Sequence, residues 1–278
     1  MPAGRSSTVR EARTPVQVGV VVADYILVAL VNIVFVTGAL TTGVTQATGG
    51  LINRTLLGNL PLVILVIGVL VLGIGRLRPR DIGLVRSKVA AGLAITLGLW
   101  ASVQIVQSAL ALAIDGAVEP APAWASVGAP AVIGLLVGQL LGNALYEDLA
   151  YRGFLFPQVR LKLERRQARE GHGALVAALV ASQILFALRH IPGRVLTGTP
   201  PTDIVLGLIP LTLVGILLAL LYLRTDNLFL VIGVHALIDA PTALVNPTLI
   251  GPSNTAVVLA VLLLIAWPRP RRARKTLD

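Results

Sequence analysis

Stretches of about 20 residues with almost no charge recur along this chain, each long enough to cross the ~30 Å hydrocarbon core of a bilayer as an α-helix. Lipid offers the backbone no hydrogen-bond partner, so such a segment must satisfy its amides internally, and a helical bundle follows. The charge-poor runs fall at 17–40, 57–75, 89–114, 129–152, 173–191, 204–223, 228–245 and 254–267. Turn-forming breaks separate them, among them Thr48-Gly49-Gly50, Pro120-Ala121-Pro122, Pro200-Pro201 and Asn246-Pro247. Only 13% of the 278 residues are charged and mean hydropathy is +0.85. A soluble domain carries roughly 25% charge, so a water-soluble fold with one very large core fits poorly. The expectation is an all-α, polytopic transmembrane bundle of about eight spans in the cell membrane. It has one membrane domain over 16–267, an N-terminal segment 1–15 and a basic tail 268–278. The first span reads as uncleaved, since no short apolar region with a small-residue cleavage site precedes it.

Arginine and lysine supply an independent check on the count. Nineteen of them lie in the N-terminal segment, 76–88, 153–172, 224–227 and the C-terminal tail, against Arg54, Arg189 and Arg194 in the alternate segments. Both termini are therefore expected in the cytoplasm, and an even number of spans is required to keep the pattern. The net charge of +10 is explained by this placement, so no nucleic-acid partner is inferred. Cysteine is absent, which removes disulfides, thiolate metal sites and a cysteine nucleophile.

Against this background three clusters stand out: Glu147-Asp148 with Arg152, then His190, then His235 with Asp239. A titratable group at bilayer depth costs at least a few kcal/mol unless it is paired or lines a wet cavity, so it is retained for a use. These are also the side chains that activate water or hold a metal. In a hairpin of the fourth and fifth spans, Glu147 and His190 are equidistant from a turn between residues 168 and 169. Each lies about 32 Å from it at 1.5 Å per residue, with a helix break expected at Pro157. His235 and Asp239 share a helix face, roughly 15 Å from the basic turn at 224–227. One layer in the cytoplasmic half is thus expected to hold all the clusters. Gly134, Gly138 and Gly142 form a small-residue ridge that lets another helix approach the fourth span.

Structural roles compete with each of these readings. Asp148 and Arg152 also suit an intrahelical ion pair, His190 an interfacial histidine, and His235 with Asp239 a buried bracing pair. Asp24, Asn32, Gln104, Gln107, Gln139, Asn143 and Gln183 read as interhelical hydrogen bonds, and Trp100, Trp124 and Trp267 as interface anchors.

The run Glu147-Asp148-Leu-Ala-Tyr-Arg152-Gly153, then Phe186-Ala-Leu-Arg-His190, then His235-Ala-Leu-Ile-Asp239 resembles the three motifs of the CPBP family. That family comprises intramembrane proteases related to type II CAAX prenyl endopeptidases and to abortive-infection and bacteriocin-immunity proteins. Its pattern, E-E-x-x-x-R, F-x-x-x-H and H-x-x-x-N/D on neighbouring helices of an eight-helix bundle, is matched in order over roughly 127–245. Two positions depart from it: Asp148 replaces the second glutamate, and Asp239 stands where the prenyl endopeptidases have asparagine. An ionised aspartate cannot donate to an oxyanion, so Asp239 suits orientation of a histidine or metal ligation instead.

The resemblance implies an intramembrane endopeptidase acting on a membrane-associated peptide or protein. Glu147 would be the general base, His190 would position the water, and His235 would stabilise the intermediate with Asp239 orienting it. Arg152 would hold Asp148. Two histidines and a carboxylate suit zinc, with His190, His235 and Asp239 as ligands, yet the same set also works without metal, and both options stay open. No H-E-x-x-H or G-x-S-x-G pattern offers another protease chemistry. The rivals are a non-catalytic immunity or partner-binding protein, and an ion-coupled transporter, for which no inverted repeat is visible.

Overall fold

The computed structural model describes residues 10–36, 40–167 and 172–268. The start of the N-terminal segment, the hairpin turn at 168–171 and the basic tail from residue 269 lie outside the described residues. Among the described residues, eight principal helices appear near the expected positions: α1 Thr14–Phe35, α2 Arg54–Ile74, α3 Arg86–Asp115, α4 Ala129–Arg165, α5 His172–Leu196, α6 Pro201–Thr225, α7 Leu228–Asp239 and α8 Pro252–Ala266. The chain is a multi-pass membrane protein, with the first six helices long and apolar enough to cross a membrane. Their apolar residues lie largely at the surface, as in the stripe Val18, Val22, Ile26 and Leu30 along α1.

The expectation of eight full spans is not reached on length. Helices α7 and α8 have 12 and 15 residues, or about 18 and 22 Å, less than the ~30 Å core. The seventh run was expected to continue to 245, but the helix ends at Asp239, just ahead of Pro241. Proline cannot donate the next helical bond and disfavours helical geometry in the residue before it. Burial shows how so short a helix is accommodated. Every residue from Leu230 to Leu237 is buried, because α3, α4, α6 and α8 wrap it. A helix apolar on all sides belongs inside a protein.

The basic segments gather at one end of the bundle. Lys88 pairs with Asp226 at 2.6 Å, Arg10 donates to the Arg76 carbonyl at 3.1 Å, Glu11 meets Arg165 at 2.5 Å, and Arg224 donates to the Trp267 carbonyl at 2.6 Å. The loops at 119–128 and 240–251 meet one another elsewhere, through Asn246 N–H to the Glu119 carbonyl at 2.9 Å and Trp124 Nε1 to the Ala243 carbonyl at 2.7 Å. Trp100 likewise donates to Thr242, at 3.0 Å. The indole of Trp124 therefore ties the two loops together and that of Trp100 ties α3 to the second of them, a more specific task than interface anchoring.

The glycine ridge of α4 packs against the turn before α2 and the first turn of that helix. Asn53 caps α2 and donates to the Gly134 carbonyl at 2.6 Å. A Cβ on Gly134 would lie 2.1 Å from the Gly50 carbonyl oxygen, which no side-chain shift relieves. Gly134→Ala is expected to cost about 1–3 kcal/mol by overpacking, read as a lowered thermal midpoint in detergent. Gly98→Ala, where an added Cβ meets nothing within 4 Å, should leave that midpoint in place.

Candidate active site

Local breaks in helix geometry present the site residues. In α4 the helix is interrupted at Gly142, where a Cβ would meet the Gly138 carbonyl at 2.4 Å, and restarts as Asn143–Glu147. It then opens into π-helical turns over Asp148–Leu155 before Phe156–Gln167 continues. The break expected at Pro157 is thus replaced by wide turns just upstream, a usual response to a missing proline N–H and one common at functional sites. In α5, Arg189 and His190 fall in a turn between His172–Leu188 and Ile191–Leu196, with Pro192 opening the second piece.

Glu147 lies at the centre, 1% exposed. Its Oε1 is 3.7 Å from His190 Nε2 and its Oε2 is 3.5 Å from His235 Nε2. His190 Nδ1 lies 3.0 Å from the Phe186 carbonyl, which only accepts, so Nδ1 carries the proton and Nε2 presents a lone pair toward Glu147. His235 Nδ1 is 3.2 Å from Asp148 Oδ2, and Asp148 Oδ1 is 3.2 Å from Arg152 Nη1. Asp239 stands 3.6 Å from His235 Nε2 and accepts from Asn143 Nδ2 at 3.5 Å.

The orienting contact at His235 Nδ1 therefore comes from Asp148, and Asp239 sits on the other ring nitrogen. Asp148 and Arg152 form the intrahelical pair, but as part of a chain from Arg152 through Asp148 and His235 to Glu147. Phe186 packs this chain: Arg152 lies over its ring at 4.0 Å, and the His190 and His235 rings meet it edge-on at 5.1 and 6.2 Å. A phenylalanine four residues before His190 thus supports the cation and both imidazoles at once.

Asp24 and Glu147 fall near the middle of α1 and α4. Glu147, Asp148, Arg152 and His235 are buried, whereas the side chains of His190 and Asp239 are 26% and 33% exposed, so the cluster opens along the edge they form with Asn143.

Sequence reasoning missed Arg189 and undervalued Asp24. Arg189, read as a loop cation, is 4% exposed and pairs with Glu147 Oε1 through Nη1 and with Asp24 through Nε at 3.3 Å. Asp24 also accepts from Tyr146 at 2.5 Å and from Tyr151. The available signals were an acidic residue isolated in the first apolar run and an arginine adjacent to His190. Moving Arg189 into the bundle also sharpens the charge asymmetry, leaving Arg54 and Arg194 as the cations of the sparse side.

Zinc fits this arrangement poorly. Among the described residues no group of three or more His, Asp or Glu side chains is placed to hold a metal ion. The Arg189 guanidinium already sits on the Glu147 oxygen nearest His190, so a second cation there would meet a fixed positive charge.

Residues 129–241, from the start of α4 through α7 and across all three motifs, match the model of the type II CAAX prenyl endopeptidase Rce1-like family. No curated protein and no solved structure matches the chain.

Proposed function

We propose that this chain, which carries an Rce1-like protease domain across 129–241, is an intramembrane endopeptidase that hydrolyses peptide bonds with water activated by Glu147 and His190. One observation carries the reading: His190 Nε2 faces a buried carboxylate at 3.7 Å on the exposed edge of the cluster. That separation is too long for a direct hydrogen bond and suits a bridging water. Such a water donates one hydrogen to Glu147 and the other to His190 Nε2. As its oxygen adds to the scissile carbonyl carbon, Glu147 takes its proton. The C–N bond then breaks, and the proton passes from Glu147 to the departing amine, leaving a carboxylic acid and an amine.

His235 lies beside Glu147 Oε2 with its ring fixed by Asp148. With Nδ1–H held by Asp148, the ring as imidazolium would place its Nε2–H on the tetrahedral oxyanion, as preorganised donors do in acyl-transfer sites. The substrate class is a membrane-associated peptide or protein that reaches the cluster past Asn143, His190 and Asp239. The basic segments, with both termini, would face the cytoplasm.

The test is cleavage of a membrane-peptide library by detergent-purified protein, with metal content measured. Wild type should cleave, His190→Ala should lose about 100-fold or more in kcat, and treatment with a strong chelator should leave the wild-type rate unchanged. Loss of activity on chelation, restored by zinc, would replace this water chemistry with a metal mechanism. Absence of cleavage with pH-gradient-driven uptake in liposomes would favour a transporter. Absence of both would favour a partner-binding protein.

A further inference from the structure

Asp24, Tyr146, Tyr151 and Arg189 form a buried network that the hydrolytic step itself does not use. We infer that Asp24, on α1 and outside the family-matched segment, is a positioning residue that acts through Arg189 to keep one oxygen of Glu147 open. The inference rests on the protease reading for its catalytic meaning, but its geometry stands apart from it.

Both oxygens of Asp24 are engaged. Oδ1 accepts from the Tyr146 hydroxyl at 2.5 Å, Oδ2 accepts from the Tyr151 hydroxyl, and Arg189 Nε lies 3.4 and 3.3 Å from the two. The Tyr146 ring supports the guanidinium from one face at 5.3 Å. With Nε committed to Asp24, Arg189 reaches Glu147 through Nη1 alone and on Oε1 alone. Glu147 Oε2 stays turned toward His235 Nε2 at 3.5 Å.

An arginine whose single partner is one carboxylate prefers the two-pronged pairing that covers both oxygens. Asp24 prevents that here, because it competes for the guanidinium from the opposite side. Asp24, Arg189 and Glu147 are 2%, 4% and 1% exposed, so water does not relax the competition. Without Asp24, the guanidinium is free to rotate onto Glu147 as a fork that covers Oε2 as well as Oε1, leaving neither oxygen free to take the proton of the water.

The experiment compares wild type with Asp24→Asn and Asp24→Glu in the cleavage assay, and runs a thermal-stability cycle of Asp24→Asn, Glu147→Gln and the double variant in detergent. Asp24→Asn should lower kcat on the order of 100-fold with KM unchanged, and Asp24→Glu should recover part of the loss. A purely structural role would lower the yield of folded protein and leave kcat per folded molecule intact. In the cycle, Arg189 keeps one carboxylate in either single variant and none in the double. The double variant should therefore lose more in thermal midpoint than the two singles together. Wild-type kcat in Asp24→Asn, or additive thermal losses, would overturn the inference. If Asp24→Asn does not fold, Tyr151→Phe removes one hydroxyl from Asp24, keeps both charges, and should show the same kcat loss in smaller measure. If wild type cleaves nothing, the protease reading has failed, and the thermal cycle alone decides whether Asp24 and Glu147 are coupled through Arg189.

Discussion

Glu147→Gln is expected to abolish measurable hydrolysis while leaving the bundle folded. Among the described residues the carboxylate is the one acidic side chain in contact range of both histidines, at 3.7 Å from His190 and 3.5 Å from His235. Removing a general base costs typically 10²–10⁴-fold in rate, roughly 3–5 kcal/mol of transition-state stabilisation. Stability should suffer far less. Glutamine keeps the volume and an acceptor oxygen for Arg189 Nη1, and Arg189 retains Asp24 as its counter-charge. The measurement is kcat per folded molecule, with folding followed by circular dichroism and thermal midpoint. A variant that stays folded and retains wild-type kcat would remove Glu147 from the chemistry and the proposed site with it. His190→Ala should be the milder lesion, because the histidine holds the water whereas Glu147 takes its proton.

The apolar runs made the bundle legible, since a bilayer leaves a charge-poor 20-residue segment few alternatives. The boundary that failed was that of the seventh run. The seventh run looks as long as its neighbours in the sequence, but Pro241 stops it at Asp239, and its partners bury it entirely. Glu147, His190 and His235 were legible as a group because their order and spacing resemble a known motif set. The partners of each were not. Asp148 and Asp239 flank one imidazole from opposite sides, and only the crossing of α4 with α7 decides which takes Nδ1. Arg189 was obscured by its neighbours: next to His190 and just before Ile191-Pro192 it looks like a loop cation. The proline-associated turn instead leaves it inside the bundle, between Asp24 and Glu147. Contacts across more than 100 residues of chain, such as Asp24 with Tyr146 and Tyr151, leave no trace in local periodicity.

Arg152→Ala is expected to be the most damaging single change to stability. The side chain is 0% exposed, 3.2 Å from Asp148 and stacked at 4.0 Å on Phe186. Truncation leaves Asp148 buried without its guanidinium and removes the packing under Phe186. Breaking a buried ion pair from one side costs about 3–5 kcal/mol, a large part of the ~5–15 kcal/mol that holds a typical domain folded. The expected result is little folded protein on extraction, and a sharply lowered thermal midpoint in what remains. Arg152→Lys should recover only part of this, because an ammonium cannot stack its plane on the ring. The double variant Arg152→Met with Asp148→Asn separates the two roles of the pair. It removes both charges while keeping similar volumes, so stability should largely return. Hydrolysis should not, since His235 Nδ1 then faces a neutral amide in place of the carboxylate that fixes its ring. Recovery of activity along with stability would mean that Asp148 and Arg152 serve the fold alone.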